Sequence, residues 1–421
     1  MKRFITSLAC MAIMTAAAEA QSQDYIGYLS DDLSRIAGNY HHYEFEETEL
    51  TPAPKGFRPV YISHYSRHGS RYHTSGAYFR PCMPQMAVCD SLGLLSEDGK
   101  AWYEGATAVL EEHHDMFGML TFLGAEEQTG IGERISRRFP EVFSGRNGRT
   151  LIRNRSTRVQ RSIVSMAAFN TSVAQAAPKM EFSYSAGDRY RAYLNADARN
   201  YELIESFCSK VEDSLKSMID TRRVFGILFN DPEAAEAVID DPYSFVKSIF
   251  LVSSISPNTD ARPDLLGYFP FEDLLAHWVI RNNHFYAGNA NSIETADETA
   301  TVARPLIEDI VSKADEALTA GSNIAADFRF GHDTGLLPLI STIGIKGMET
   351  KHSAYDAHRY WNSSEMMSMA SNLQMIFYAD NAGDIIVKLL YNEKETHIPA
   401  LEAEHGPYYK WKVLRDYLVS L

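Results

Sequence analysis

Cysteine is scarce in this chain, with four in 421 residues. No Cys-x-x-Cys pair, His-Glu-x-x-His signature or calcium-loop pattern occurs, so neither a metal site nor a cofactor is expected. Positive charge is also short: 40 lysines and arginines face 55 acids, giving a net charge of −15. Such a chain is a poor general binder of nucleic acid or anionic membrane, so any anion site must be built locally. Beyond the N-terminus no apolar run is long enough to span a bilayer. No repeat or low-complexity linker is present, which argues against a solenoid or a disordered tether. A hydrophobic content of 45% and a charged content of 23% fit a globular protein. The length allows one large domain with insertions, or two domains.

The first twenty residues read as a targeting segment. Lys2 and Arg3 precede an apolar run from Phe4 to Ala18, and Ala18-Glu19-Ala20 has the small residues of a cleavage site. A lipoprotein site at Cys10 would leave too short an apolar run ahead of it. The expectation is a signal peptide over 1–20, cleavage before Gln21, and export to the periplasm or the medium. Losing Lys2, Arg3 and Glu19 moves the net charge from −15 to −16. In an oxidising compartment Cys82 and Cys89 are close enough in sequence for a local disulfide, which leaves Cys208 over.

The chain is organised around Pro59–His73, Pro-Val-Tyr-Ile-Ser-His-Tyr-Ser-Arg-His-Gly-Ser-Arg-Tyr-His. Its first half alternates as a strand, with Val60 and Ile62 on one face and Tyr61 and Ser63 on the other. Its second half places His68 between Arg67 and Arg71. Neighbouring positive charge keeps an imidazole neutral, and a neutral imidazole is a nucleophile. Guanidiniums match the paired oxygens of a phosphate, and Gly69 permits a sharp turn and close approach.

Before this stretch, Ser30 is expected to cap a short helix ending at Gly38. After it, 74–119 reads as mostly helical, with Ser96 as a cap and His113-His114 as an exposed or capping pair. Thr121 should cap a further helix, whose Gly124, Gly130 and Gly132 suggest close packing. Between Arg134 and Arg161 stand nine arginines, no lysine and one acid, Glu141. Such a run reads mostly as a solvated face. A strand at Leu151-Ile152 leads to a helix capped by Ser156 or Thr157, with Arg158 and Arg161 near its start. Arginine there opposes the helix dipole unless an anion or an acid lies close.

Residues 187–300 read as largely helical, with aromatics such as Trp278 and Tyr286 in its core. A helix over 300–318 precedes a strand over 323–330, which runs into Gly331-His332-Asp333-Thr334-Gly335 and a helix. A hairpin over 373–379 and 385–391 and a helix over 409–418 close the chain.

Three segments thus share one layout, a strand followed by a polar turn. In an α/β fold with a mostly parallel sheet, such turns converge on one crevice past the strand C-termini. The crevice would gather Arg67, His68, Arg71, Arg161, His332 and Asp333, a set suited to a phosphoryl group, which takes a nucleophile on one side and a proton donor on the other.

These residues resemble the histidine acid phosphatases, the branch of the histidine phosphatases that includes phytases and multiple inositol polyphosphate phosphatases. Arg67-His68-Gly69-Ser70-Arg71 is similar to the family's nucleophile motif, and Leu120-Thr121-x-x-Gly124 with Gly132 to its helix signature. Arg155-Ser156-Thr157 through Arg161-Ser162 is similar to its central arginine segment, and Gly331-His332-Asp333-Thr334 to its proton-donor motif. The four occur in family order over about 58–340.

The resemblance implies a phosphoglycerate-mutase-like α/β core with a mostly helical cap, drawn from parts of 74–150 and 187–300. It implies His68 as the nucleophile, forming a phosphohistidine, with Arg67, Arg71, Arg161 and His332 holding the phosphate. Asp333 would protonate the leaving oxygen and then assist water. The partner implied is a small phosphomonoester, with phytate-like inositol polyphosphates preferred. A broad acid phosphatase on sugar phosphates or nucleotides, a phosphate-binding protein without turnover, and a mutase-like transferase are the alternatives. Two departures stand out. His73 occupies a position where the family usually has proline, and the pair His332-Asp333 differs from the His-Ala-Glu form of the inositol polyphosphate phosphatases.

Overall fold

The computed structural model describes residues 25–194 and 199–421. The expected signal peptide and its cleavage site lie outside the described residues. Eight strands form one sheet: β1 Arg58–Arg67, β2 Leu151–Ser156, β3 Glu181–Ala186, β4 Ile324–Gly331, β5 Asn372–Ala379, β6 Ile385–Tyr391, β7 Lys394–Thr396 and β8 Tyr408–Lys410. Their order is β3-β2-β4-β1-β5-β6-β7, with β8 also paired to β6. Helices pack on the sheet, so the chain has the expected α/β architecture.

The parallel part is confined to β3, β2, β4 and β1. The other half is antiparallel, because the 373–391 hairpin joins the free edge of β1 through β5. The sheet is therefore mixed, and its parallel half carries the candidate site. Strand β8 takes up 408–410, so the last helix begins at Trp411 rather than Tyr409.

Strand β1 is buried along most of its length, since both faces are covered. Tyr61 and Tyr65 join the apolar cluster that contains Leu306, Leu336 and Leu339. Ile62 joins the opposite cluster with Ile131 and Phe169. Val60 packs with the Tyr61 side rather than with Ile62, because the register shifts between Pro59 and Tyr61. A third cluster joins residues such as Trp102 and Val109 to Phe225, Phe250 and Trp278, all from helical segments outside the sheet. By contrast, the helix Phe122–Arg138 packs with Gln160–Ala176 in the layer against the sheet.

Of the glycines expected to pack closely, Gly124 and Gly132 meet a neighbouring segment, whereas Gly130 faces only the Arg134 guanidinium of its own helix. A Cβ on Gly69 would stand 2.2 Å from the Gly124 carbonyl oxygen, and one on Gly124 would stand 2.1 Å from that of Ser70. The loop after β1 therefore rests directly on the start of the helix Phe122–Arg138, which Thr121 caps as expected. Gly132 lies equally close to Phe169 and Ser172.

Several local expectations change. Asp32, not Ser30, caps the 3-10 segment Leu33–Tyr40, since its carboxylate reaches the Ser34 N–H at 2.8 Å. Neither Ser156 nor Thr157 caps the helix Gln160–Ala176, whose N-cap is Val159 without a side-chain bond. His114 is exposed, but His113 is fully buried and accepts the His73 N–H at 2.9 Å. Cys82, Cys89 and Cys208 are free and buried. Cys82 is the N-cap of the helix Met83–Ser91 and Cys89 lies in its last turn. Seven helical steps of about 1.5 Å put them roughly 10 Å apart, too far for a disulfide.

Candidate functional site

The parallel strands deliver the candidate residues to one edge of the sheet. Arg67 pairs with Gly331 across β1 and β4, and Ser156 pairs with Phe330 across β2 and β4. The chain beyond each strand stays joined to its neighbour: His68 N–H donates to the Gly331 carbonyl and Thr157 N–H to that of Phe330. Arg67, His68, Arg71, Arg161, His332 and Asp333 are thereby brought together.

His68 is 2% exposed, and its Nδ1 lies 2.9 Å from the Gly69 carbonyl oxygen. A carbonyl can only accept, so Nδ1 carries the proton and Nε2 keeps its lone pair. Burial holds His68 well below the usual histidine range, reinforced by Arg161, Arg67, His332 and Arg71. The His332 ring meets it edge-on, with centroids 5.4 Å apart. His332 Nε2 lies 3.2 Å from Thr157 Oγ1, and its Nδ1 lies 3.5 Å from an Arg161 nitrogen. Burial, then Arg161, keeps His332 neutral against the pull of Asp333.

Arg67 is fully buried and bonds the carbonyls of Asn39 and Met367, both at 2.7 Å. Its other terminal nitrogen pairs with Asp333 Oδ2 at 2.8 Å. Arg71 bonds the Tyr72 carbonyl and lies 5.2 Å from the Tyr40 ring centroid. Arg71 Nε and Arg161 Nε are buried without hydrogen-bond partners among the described residues. Burial and the repulsion of Arg71 lower Arg161 to about 10. Cations so close together, with donors to spare, make a site for an anion rich in oxygen.

Asp333 is the acid of this cluster. Burial pushes its carboxyl up, but Arg67, Arg71, His332 and the Asn39 amide outweigh it and hold the carboxyl low. Its Oδ1 accepts the Thr334 N–H at 2.9 Å, a further contact that favours the ionised form. The Tyr65 hydroxyl pins the same turn, bonding the His332 carbonyl at 3.3 Å and accepting the His332 N–H at 3.2 Å. Side chains at Gly331 or Gly335 would strike that hydroxyl, since Cβ atoms there would lie 2.2 and 2.4 Å away.

Sequence reasoning missed four contributors. Asn39 donates to Asp333 Oδ2 at 3.3 Å while its own amide oxygen accepts from Arg281 at 3.3 Å. It reaches the site because Gly38 turns the chain with φ of 60°, a conformation that favours glycine. Glu127 is buried and binds the Ser70 N–H at 2.6 Å, the Ser70 hydroxyl at 2.8 Å and the Tyr43 N–H at 2.8 Å. Thr157 orients His332. Arg199 bonds the Thr334 and Gly288 carbonyls. Asn39, Arg199 and Arg281 lie far from the motifs in sequence, and no local pattern points to them.

The arginine run is only in part a solvated face: Arg137, Arg146 and Arg158 are exposed, while the others are half-buried and held by partners. Arg134 and Arg138 pair with Glu393, Arg137 with Glu47, and Arg153 and Arg155 with Asp327. Arg149 bonds the carbonyls of Ala317 and Ile324, and exposed Arg158 pairs with Asp188. Arg161 alone of the nine joins the His68 cluster. His73, where proline is usual, is buried, with Nε2 2.9 Å from the Leu251 carbonyl and its ring stacked on Tyr78 at 4.2 Å. The loop therefore leaves the site against the helix Pro242–Ile255.

No family model matches the chain. A curated multiple inositol polyphosphate phosphatase 1 from Drosophila melanogaster is 24% identical over 291 residues, 66% of this chain. The chain spans only 57% of that relative's length. Among solved structures, the multiple inositol polyphosphate phosphatase of Bifidobacterium longum in complex with inositol hexasulfate superposes with a TM-score of 0.77. It is 20% identical, over 91% of this chain and 97% of that one. The phytase from D. castellii gives a TM-score of 0.67 at 12% identity, over 92% and 85% of the two chains. The chain thus shares the fold of these phosphatases, and the four motifs similar to those of the histidine acid phosphatases lie, in the same order, at the strand ends that build the site.

Proposed function

We propose that this protein hydrolyses phosphomonoesters through a phosphohistidine on His68, with inositol polyphosphates as the preferred substrates. The observation that carries the reading is the fixed tautomer of His68: Nδ1 is committed to the Gly69 carbonyl, and Nε2 has a lone pair and no hydrogen bond among the described residues. Arg67, Arg71, Arg161 and His332 hold the phosphate oxygens as Nε2 attacks phosphorus. A phosphate seated there draws Arg67 away from Asp333 and adds a like charge beside the carboxyl. Both changes raise its affinity for a proton, so Asp333 becomes the acid that protonates the departing alkoxide. Asp333 then takes a proton from the water that cleaves the phosphohistidine. No step calls on a metal or a cofactor.

The substrate class rests on the likeness to inositol polyphosphate phosphatases and phytases, one of them in complex with inositol hexasulfate. The pairing of the arginine run favours a second reading, a broad acid phosphatase, because those arginines leave little cationic surface for further phosphates. Specificity constants for phytate, a sugar phosphate and an aryl phosphate decide between them. Phytate highest by tenfold or more supports the first reading, and equal constants support the second. Export follows from Lys2, Arg3 and the apolar run to Ala18. Mass spectrometry of the mature N-terminus tests it: a chain starting at Gln21 is expected, and an uncut Met1 refutes it.

A further inference from the structure

His41, His42 and Glu44 lie just beyond Asn39 and Tyr40, where the chain leaves the phosphate site. One ligand atom from each of the three lies within 4.8 Å of the other two. His41 is 1% exposed, and its two ring nitrogens are differently placed. Nδ1 lies 3.3 Å from Ser34 Oγ. Nε2 is buried without a hydrogen-bond partner among the described residues, 3.5 Å from Glu44 Oε1.

With the proton on Nδ1, donated to Ser34, the Nε2 lone pair faces the carboxylate oxygen; in the other tautomer Nε2–H faces Glu44 Oε1 from 3.5 Å and the Ser34 hydroxyl donates to Nδ1. Two lone pairs facing each other repel unless a cation stands between them. The separation suits one: ligand atoms around a tetrahedral zinc with bonds of 2.0–2.1 Å lie roughly 3.3 Å apart. The Ser34 contact is the kind of outer bond that fixes the tautomer of a metal-ligating histidine.

Arg35 holds Glu44 Oε1 at 3.1 and 3.2 Å, and the Tyr28 hydroxyl lies 3.4 Å from Oε2. The guanidinium orients the carboxylate and, as a cation, restrains the affinity. His41, Glu44 and Arg35 border a cavity of about 680 Å³, which gives an ion a way in from solvent.

We propose that His41, His42 and Glu44 bind one divalent transition-metal ion of the Zn²⁺ class, separate from the phosphate chemistry, with water completing the coordination. Two imidazoles and one carboxylate favour such an ion over Mg²⁺ or Ca²⁺, which take oxygen ligands. The competing arrangement is a direct contact from Nε2–H of His41 to Glu44, which needs no metal.

The test is calorimetric titration of the metal-free full chain with ZnCl₂ at neutral pH, on the wild type, His42→Ala and Glu44→Gln. One equivalent should bind the wild type, and each substitution should weaken it at least tenfold while MgCl₂ gives no saturable heat. Because a substitution could disturb folding, Co²⁺ absorption of the unaltered protein supplies an independent reading. Intense visible bands of a four-coordinate ion are expected at one equivalent. No stoichiometric binding, no such bands, or wild-type affinity in both variants overturns the proposal.

Discussion

Replacing Asp333 with asparagine separates two effects that the geometry ties together. The carboxylate pairs with buried Arg67 at 2.8 Å. At an effective dielectric near 20 that contact is an attraction of about 6 kcal/mol, which an incoming phosphate must replace. Asparagine keeps the shape but carries neither the charge nor a transferable proton. Its single oxygen can face Arg67 or the Thr334 N–H but not both, which costs about 1–3 kcal/mol of stability. Inorganic phosphate should therefore bind the variant more tightly, by roughly tenfold, a net gain of about 1.4 kcal/mol after desolvation takes most of the gross term.

Turnover should move the other way. An alkoxide needs the proton, so phosphorylation by an alkyl ester should slow by about 10²–10⁴, or roughly 3–5 kcal/mol of barrier. A nitrophenolate leaves unaided, so its burst should change far less. Single-turnover bursts with both esters at matched pH, together with phosphate titration, read both effects. Equal losses in the two bursts, or weaker phosphate binding, would refute the reasoning.

Asn39→Ala removes an amide that favours the ionised form of Asp333. The alkaline limb of kcat/KM for an alkyl ester should therefore move to higher pH; an unmoved limb would show that Asn39 does not act through Asp333. His64 is buried with both ring nitrogens unpartnered among the described residues, and burial, aided by Arg329, pushes it down to about 3 from 6.5. Its folded value is the depressed one, so its contribution to stability is complete above pH 6.5 and is lost as pH falls toward 3. Between pH 7 and 5 that loss is about 2 kcal/mol, and His64→Leu should remove it, flattening the pH dependence of the urea midpoint; an unchanged slope would count against it. Dialysis against a chelator should leave activity intact, since every phosphate ligand named is organic; loss restored by a divalent ion would contradict the mechanism.

What could be read from the sequence was local. Arg67-His68 and His332-Asp333 each follow a strand with a clear apolar pattern, and Arg161 follows a strand marked only by Leu151-Ile152, so their convergence follows from sheet geometry. Tyr65 reads only as an inward strand residue until Gly331 and Gly335 are seen against its hydroxyl. Asn39 could not be found this way, because its contact to Asp333 joins residues 294 positions apart. The arginine run misled because composition does not show partners: Asp327 and Glu393 lie in distant strands and turns. The antiparallel half of the sheet was hidden likewise, since the hairpin was visible but its edge of attachment was not.

The central claim is that His68 Nε2 takes the phosphoryl group. Quenching the wild-type reaction in base with a ³²P-labelled ester, then mapping the labelled peptide, tests it most directly. A base-stable, acid-labile phosphate on His68, absent from a His68→Ala variant that still binds inorganic phosphate, is the predicted result. No trapped label, a label on another residue, or near-wild-type turnover by His68→Ala would contradict it.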